Sequence, residues 1–284
     1  MKPLLKGFFF GFIVIPLYSN AQTICSEESQ VRLEATLQKL ETTDFDQKSI
    51  NEIVVEVGQW FLGTPYAEKT LELAGDEPLV INLTGLDCTT YLETVVTLAR
   101  LAKLQKFTIA DYEKELEYLR YRNGKRAHYP SRLHYFSEWI YNNESKGILD
   151  NITKSIGGEI YANRPGFMSA NPQYYPQLID KDYVREIAEA EAKIAQNAYY
   201  YIPKDAVSEH EQMIMPGDLI AITISLDNLD IAHVGIAVEQ DGRIHLMHAS
   251  SASKMVEISE KPLSEYLMGN KSQSGIMVCR LQNI

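Results

Sequence analysis

The sequence predicts an α+β domain in which a helix carrying a reactive cysteine packs on an antiparallel sheet. Three observations predict it. From Thr89 to Leu104 the apolar residues Tyr91, Leu92, Val95, Val96, Leu98, Ala99 and Ala102 recur at helical spacing, so a buried helix begins at or beside Cys88. The loop before it, Leu83-Thr84-Gly85-Leu86-Asp87, bears a glycine and delivers Cys88 onto the first helical turn. From Pro216 onward, short apolar runs alternate with turn signals and read as about five strands.

The elements follow in order. Ser26 to Leu40 places Val31, Leu33, Leu37 and Leu40 among charges, an amphipathic helix. Asp46 to Leu62 is a second, with Ile50, Ile53, Val54, Val57, Trp60 and Phe61 on one face; Gly63 and Pro65 end it and Thr64-Pro65-Tyr66 is a turn. Leu79 to Leu83 is extended. Helical periodicity returns over 108–145 and from Asp182 to Ala198, around turn signals at Asn163-Arg164-Pro165-Gly166 and Asn171-Pro172. Residues 105–205 therefore read as a helical and loop elaboration between a helical front half and a β-rich back half. In that back half, Leu219 to Ile224 is a continuous apolar run suited to a strand buried on both faces. His233 to Val238 and Ile244 to Ala249 flank the hairpin signal Gln240-Asp241-Gly242. Met255 to Ile258 and Gly275 to Leu281 follow, with a short helix from Pro262 between them.

Lys2 and Lys6, the apolar stretch Gly7 to Leu17 and the small-residue site Ser19-Asn20-Ala21 form a secretory signal peptide over residues 1–21, too short to span a bilayer comfortably. Residues 22–284 are then one exported domain, periplasmic or extracellular and not inserted in the membrane. Ile24 stands where a lipoprotein site wants a small residue, so Cys25 is not read as lipidated. The formal charge of −11 becomes more negative when two lysines leave with the leader, which excludes nucleic acid as a partner. Of the three cysteines, Cys25 and Cys279 lie near the two ends, and a bridge between them leaves Cys88 free; three reduced thiols are the other arrangement.

A helix N-terminus favours thiolate over thiol, which makes Cys88 a candidate nucleophile. A nucleophilic cysteine needs a base, and a third group to orient that base. His233 opens one predicted strand and His248 closes its hairpin partner, so the two imidazoles lie at the same end of the sheet. Spacing alone leaves His245 open as the third member. A zinc site built from these histidines and Asp230 leaves Cys88 without a role; no metal and no cofactor is expected.

The ordered segments Gly63-Thr64-Pro65-Tyr66, Leu86-Asp87-Cys88-Thr89, Pro216-Gly217-Asp218-Leu219, His233-Val234-Gly235-Ile236 and His248-Ala249-Ser250 resemble the NlpC-type, papain-like cell-wall cysteine hydrolases. Thr89-Thr90 stands where the endopeptidases have Ser-Gly, and the elaboration is large for that family. Both features, with Ser131-Arg132-Leu133-His134-Tyr135-Phe136, Phe167-Met168-Ser169, Tyr175-Pro176 and Ile202-Pro203-Lys204, resemble its N-acetylmuramoyl-L-alanine amidase-like branch. The resemblance implies a papain-like core, catalytic roles for Cys88, His233 and His248, and a peptidoglycan fragment (a muropeptide) as substrate. It selects His248 over His245 and brings Tyr66, with Asp87 and Thr89, to the substrate. From the elaboration, Arg164 is the candidate for a peptide carboxylate. The alternatives are a γ-D-glutamyl endopeptidase on the same fold and a cell-wall-binding module with a degenerate site.

Overall fold

A computed structural model describes residues 22–284; the expected signal peptide lies outside the described residues. In chain order the elements are β1 (Thr23–Cys25), α1 (Glu27–Thr42), α2 (Ile50–Gln59), β2 (Leu79–Ile81), α3 (Cys88–Leu104), α4 (Ile109–Arg120), α5 (Phe136–Ser145), β3 (Leu149–Asn151), β4 (Glu159–Tyr161), α6 (Phe167–Ala170), α7 (Lys181–Ile194), β5 (Tyr199–Pro203), α8 (Val207–His210), β6 (Leu219–Ile224), β7 (Ile231–Gln240), β8 (Arg243–Ser250), β9 (Met255–Ile258), α9 (Leu263–Met268) and β10 (Gln273–Leu281). The α+β reading holds: helices pack on an antiparallel sheet.

Helix α3 is the centre of the core. Every residue from Thr90 to Ala102 is buried, the pattern of a helix covered on all sides. Its charged members are neutralised in place: Arg120 Nε donates to Glu93 Oε2 at 2.7 Å, and Trp139 Nε1 donates to Glu93 Oε1 at 3.2 Å. The helices α1 and α2 cover it, their starts fixed by Ser26 and Ser49 acting as N-caps. Leu33, Leu37 and Leu40 face inward as expected, whereas Val31 is exposed.

The large sheet runs β4-β5-β10-β6-β7-β8-β9, with β3 also pairing β10. All six residues of β6 are buried, as its apolar run requires. One face of the sheet (Ala221, Val234, Ile236, Met247, Met277) packs toward α3. The other (Ile220, Ile222, Ala237, Leu246, Val278) packs under Val207, Leu263 and Leu267 of α8 and α9.

Two expectations need correcting. The segment 105–205 is not only helix and loop: it supplies β3, β4 and β5 to the main sheet. Thr64-Pro65-Tyr66 is no free turn. The Tyr66 N–H donates to Lys254 O and the Val256 N–H to Thr64 O, both at 2.8 Å, so the segment lies along the open edge of β9. That docking covers an otherwise unpaired edge. Of the two cysteine arrangements left open, the reduced one is present: Cys25 and Cys279 are both free, Cys279 buried inside the core on β10.

Candidate active site

The cysteine loop is held from both sides. Asn82 Oδ1 accepts the N–H groups of Thr84 and Gly85 at 3.0 and 3.1 Å, closing the turn. Gly85 admits the approach of residues 65–67, since a Cβ there would stand 2.7 Å from that of Ala67. Two bonds, Leu86 N–H to Pro65 O at 3.0 Å and Ala67 N–H to Leu86 O at 3.2 Å, then lock the loop to the Tyr66 segment. Asp87 caps α3, accepting the Thr90 N–H at 2.8 Å, and the Thr90 hydroxyl accepts the Asp87 N–H at 2.9 Å. Cys88 is therefore the first helical residue.

The resting state of Cys88 departs from the expectation of a thiolate. Burial, with the Asp87 carboxylate adding to it, pushes the thiol up to about 11. The Val234 N–H and the hydroxyl and N–H of Thr89 act the other way. The helix dipole is a local term and desolvation a tertiary one; here desolvation wins, and the site holds a neutral thiol.

Val234 follows His233 on β7, so the sulfur sits against the strand that carries the expected base. His233 Nε2 lies 2.6 Å from His248 Nδ1, with the rings edge-to-face at 4.8 Å. The register explains this pair. Ile236 opposes Met247, so continuing the ladder puts Gly235 opposite His248 and makes His233 its diagonal neighbour on the same face. Burial lowers His233 to about 4; burial and the neighbouring His233 lower His248 to about 3. Both rings are thus neutral bases across the ordinary pH range. His245, the open alternative, is turned away: its Nδ1 bonds the Ser259 carbonyl at 2.8 Å.

Tyr66 reaches the site. Burial, then the neighbouring Cys88 and Asp87, push its phenol up to about 12. Asp87 and Thr89 line a cleft of about 160 Å³ together with Lys69, Arg132 and His134. Arg164 Nη1 donates to the carbonyls of Tyr161 and Asn163 in its own segment. Asp230 is likewise occupied, accepting the Ser137 N–H at 2.8 Å. The sequence reading passed over two neighbours. Tyr266 of α9 packs edge-on to His248 at 5.5 Å, and Glu257 of β9 stands directly across the ladder from it. The strand pairing of β9 was the only available signal for Glu257.

A family model described as AmiA-like, N-acetylmuramoyl-L-alanine amidase-like, matches residues 56–276. The chain belongs to the AmiA-like family. Solved structures agree with the AmiA-like match. A crystal structure of an N-acetylmuramoyl-L-alanine amidase from Bacteroides uniformis is 35% identical, covers 82% of this chain and 99% of its own, and superposes with a TM-score of 0.79. A further structure of an amidase of that name and organism gives 34% identity, 81% and 98% coverage and a TM-score of 0.76. A Legionella pneumophila protein, 24% identical over 90% of this chain and 97% of its own with a TM-score of 0.67, shares the fold. Among curated proteins none matches. The AmiA-like match takes in Cys88, His233 and His248 together with the whole 105–205 segment.

Proposed function

We propose that this AmiA-like protein is a cysteine amidase of papain-like, NlpC-type architecture that cleaves the amide between the lactyl group of N-acetylmuramic acid and L-alanine in peptidoglycan fragments. The observation that carries the reading is the His233–His248 contact on the strand against which the Cys88 sulfur lies. In the reaction His233 takes the thiol proton as Cys88 attacks the lactyl carbonyl, and His248 orients His233. The Cys88 backbone N–H, at the unpaired end of α3, is aimed at the developing oxyanion. The amine of the stem peptide leaves with the proton from His233, and water releases the muramoyl group from the thioester. Because thiol and imidazole both rest neutral, the charge pair forms only as the reaction proceeds.

Tyr66 and Thr89 border the sulfur and Asp87 holds the turn, which supports a substrate groove over this end of α3. The Arg164 contacts leave its proposed role in binding a peptide carboxylate without support from geometry. Residues 1–21 as a signal peptide, one domain over 22–284 elaborated at about 105–205, and a periplasmic or extracellular location complete the proposal. No helix among the described residues is long and apolar enough to cross a membrane.

Mass spectra of digested muropeptides test the bond. Free disaccharide with an intact stem peptide supports the amidase. A shortened stem peptide makes the chain a γ-D-glutamyl endopeptidase instead, and binding without turnover makes it a degenerate cell-wall module.

A further inference from the structure

We propose that Glu257 is a positioning residue that fixes the tautomer of His248 and, through it, of His233. The inference rests on the Cys88–His233–His248 reading and follows from counting protons. To accept the thiol proton, neutral His233 must present a bare Nδ1, so its hydrogen sits on Nε2. That hydrogen is donated across 2.6 Å to His248 Nδ1, which must then be bare as well. The hydrogen of His248 is thereby forced onto Nε2, an atom that is buried and has no hydrogen-bond partner. A buried donor left unsatisfied keeps its desolvation penalty uncompensated, so the catalytic tautomer is disfavoured unless an acceptor meets it.

The acceptor within reach is Glu257 Oε1, 3.9 Å from Nε2. The β8–β9 ladder sets His248 directly opposite Glu257, so both side chains share a face. His248 is 2% exposed in its side chain and cannot move to seek a partner, whereas Glu257 is 35% exposed and can. It also borders a cavity of about 440 Å³, shared with Tyr266, Lys261 and Glu265, which has room for a bridging water. The titratable groups facing His248 are His233 from β7, Glu257 from β9 and Tyr266 from α9. Burial raises the Tyr266 phenol and both Glu257 and Cys88 add to the shift, so His233, His248, Glu257, Tyr266 and Cys88 form one electrostatic cluster.

The test compares Glu257→Gln and Glu257→Ala with the unaltered chain in two readouts. One is kcat and KM on a disaccharide–peptide. The other is the pH dependence of iodoacetamide alkylation at Cys88, located by peptide mass. Glu257→Ala is expected to lower kcat about tenfold with little change in KM. Glu257→Gln, which keeps an acceptor, retains more of kcat. In both variants the lost negative charge makes the imidazole pair harder to protonate, so alkylation slows at neutral pH and its acid limb moves to lower pH. Alkylation profiles identical to the unaltered chain overturn the proposal, as does a rise in KM at constant kcat, which would place Glu257 against substrate. If the enzyme cuts a different bond, the amidase reading fails while the alkylation profile still decides the role of Glu257.

Discussion

Two regions of this molecule bury titratable side chains and treat them in opposite ways. In the 105–205 segment and beneath α3, buried charges are matched. Arg120 pairs with Glu93, Arg132 pairs with Glu72 at 2.7 Å and Glu77 at 3.3 Å, and the Tyr135 hydroxyl donates to Glu191 at 2.7 Å. At the Cys88 end burial outweighs the counter-charge present, the Glu257 carboxylate 3.9 Å from His248, so Cys88, His233 and His248 are all driven to their neutral forms. The first arrangement fixes a structure. The second stores groups whose charges develop only when a proton moves between them, which is what catalysis by a buried nucleophile and base uses.

The sharpest way to break this contrast is Cys88→Ala. It is expected to lower turnover by about 10⁴-fold or more while leaving thermal stability near that of the unaltered chain. Retained activity in steady-state assays would remove the nucleophile from the account. The matched region should answer in the opposite sense. Arg120→Ala leaves the Glu93 carboxylate buried without its cation and should cost about 3–5 kcal/mol of stability, read by denaturant unfolding. A loss below about 1 kcal/mol would mean that the pair does not hold the segment to α3.

Within the Cys88 end, His248→Ala should lower turnover about a hundredfold or more with stability close to the unaltered chain. His245→Ala should do the reverse, damaging stability more than turnover, because His245 bonds Ser259 on the other side of the sheet. The smallest effect is on pH. His233 and His248 bind protons near 4 and 3 when folded, against an ordinary value of 6.5. Between those values the unfolded chain holds protons that the folded chain lacks. Their contribution to stability is therefore complete above about pH 6.5 and is lost as pH falls toward 4. The melting temperature should decline over that window, and the decline should flatten in a His233→Ala, His248→Ala double variant. By the same sign the base stays unprotonated at pH 5, so kcat/KM should keep its neutral value there.

The two regions also differ in how far the sequence reveals them. The α3 periodicity, the apolar run of β6 and the hairpin turn at Asp241-Gly242 are local signals, and they sufficed to bring His233 beside His248; spacing left His245 open, and its bond to Ser259 is what turns it away. Strands β1, β3 and β4 have three residues each and owe their existence to pairing with distant segments, so no local pattern announces them. Tyr199 to Pro203, though longer, becomes β5 through its partners β4 and β10. Glu257 reads as an ordinary solvent-facing glutamate until the β8–β9 register is known. The direction of the Cys88 shift was missed for the same reason: the helix terminus is visible in sequence, and the burial that outweighs it is not.

One measurement tests the central claim most directly: the intact mass of the protein quenched in acid during turnover of a disaccharide–peptide. The account predicts an adduct on Cys88 with the mass of the acyl disaccharide alone, absent in Cys88→Ala. An adduct heavier by L-alanine and D-glutamate would contradict it by placing the cut at the γ-glutamyl bond. Steady turnover insensitive to alkylation of Cys88 would contradict it by removing the thioester altogether.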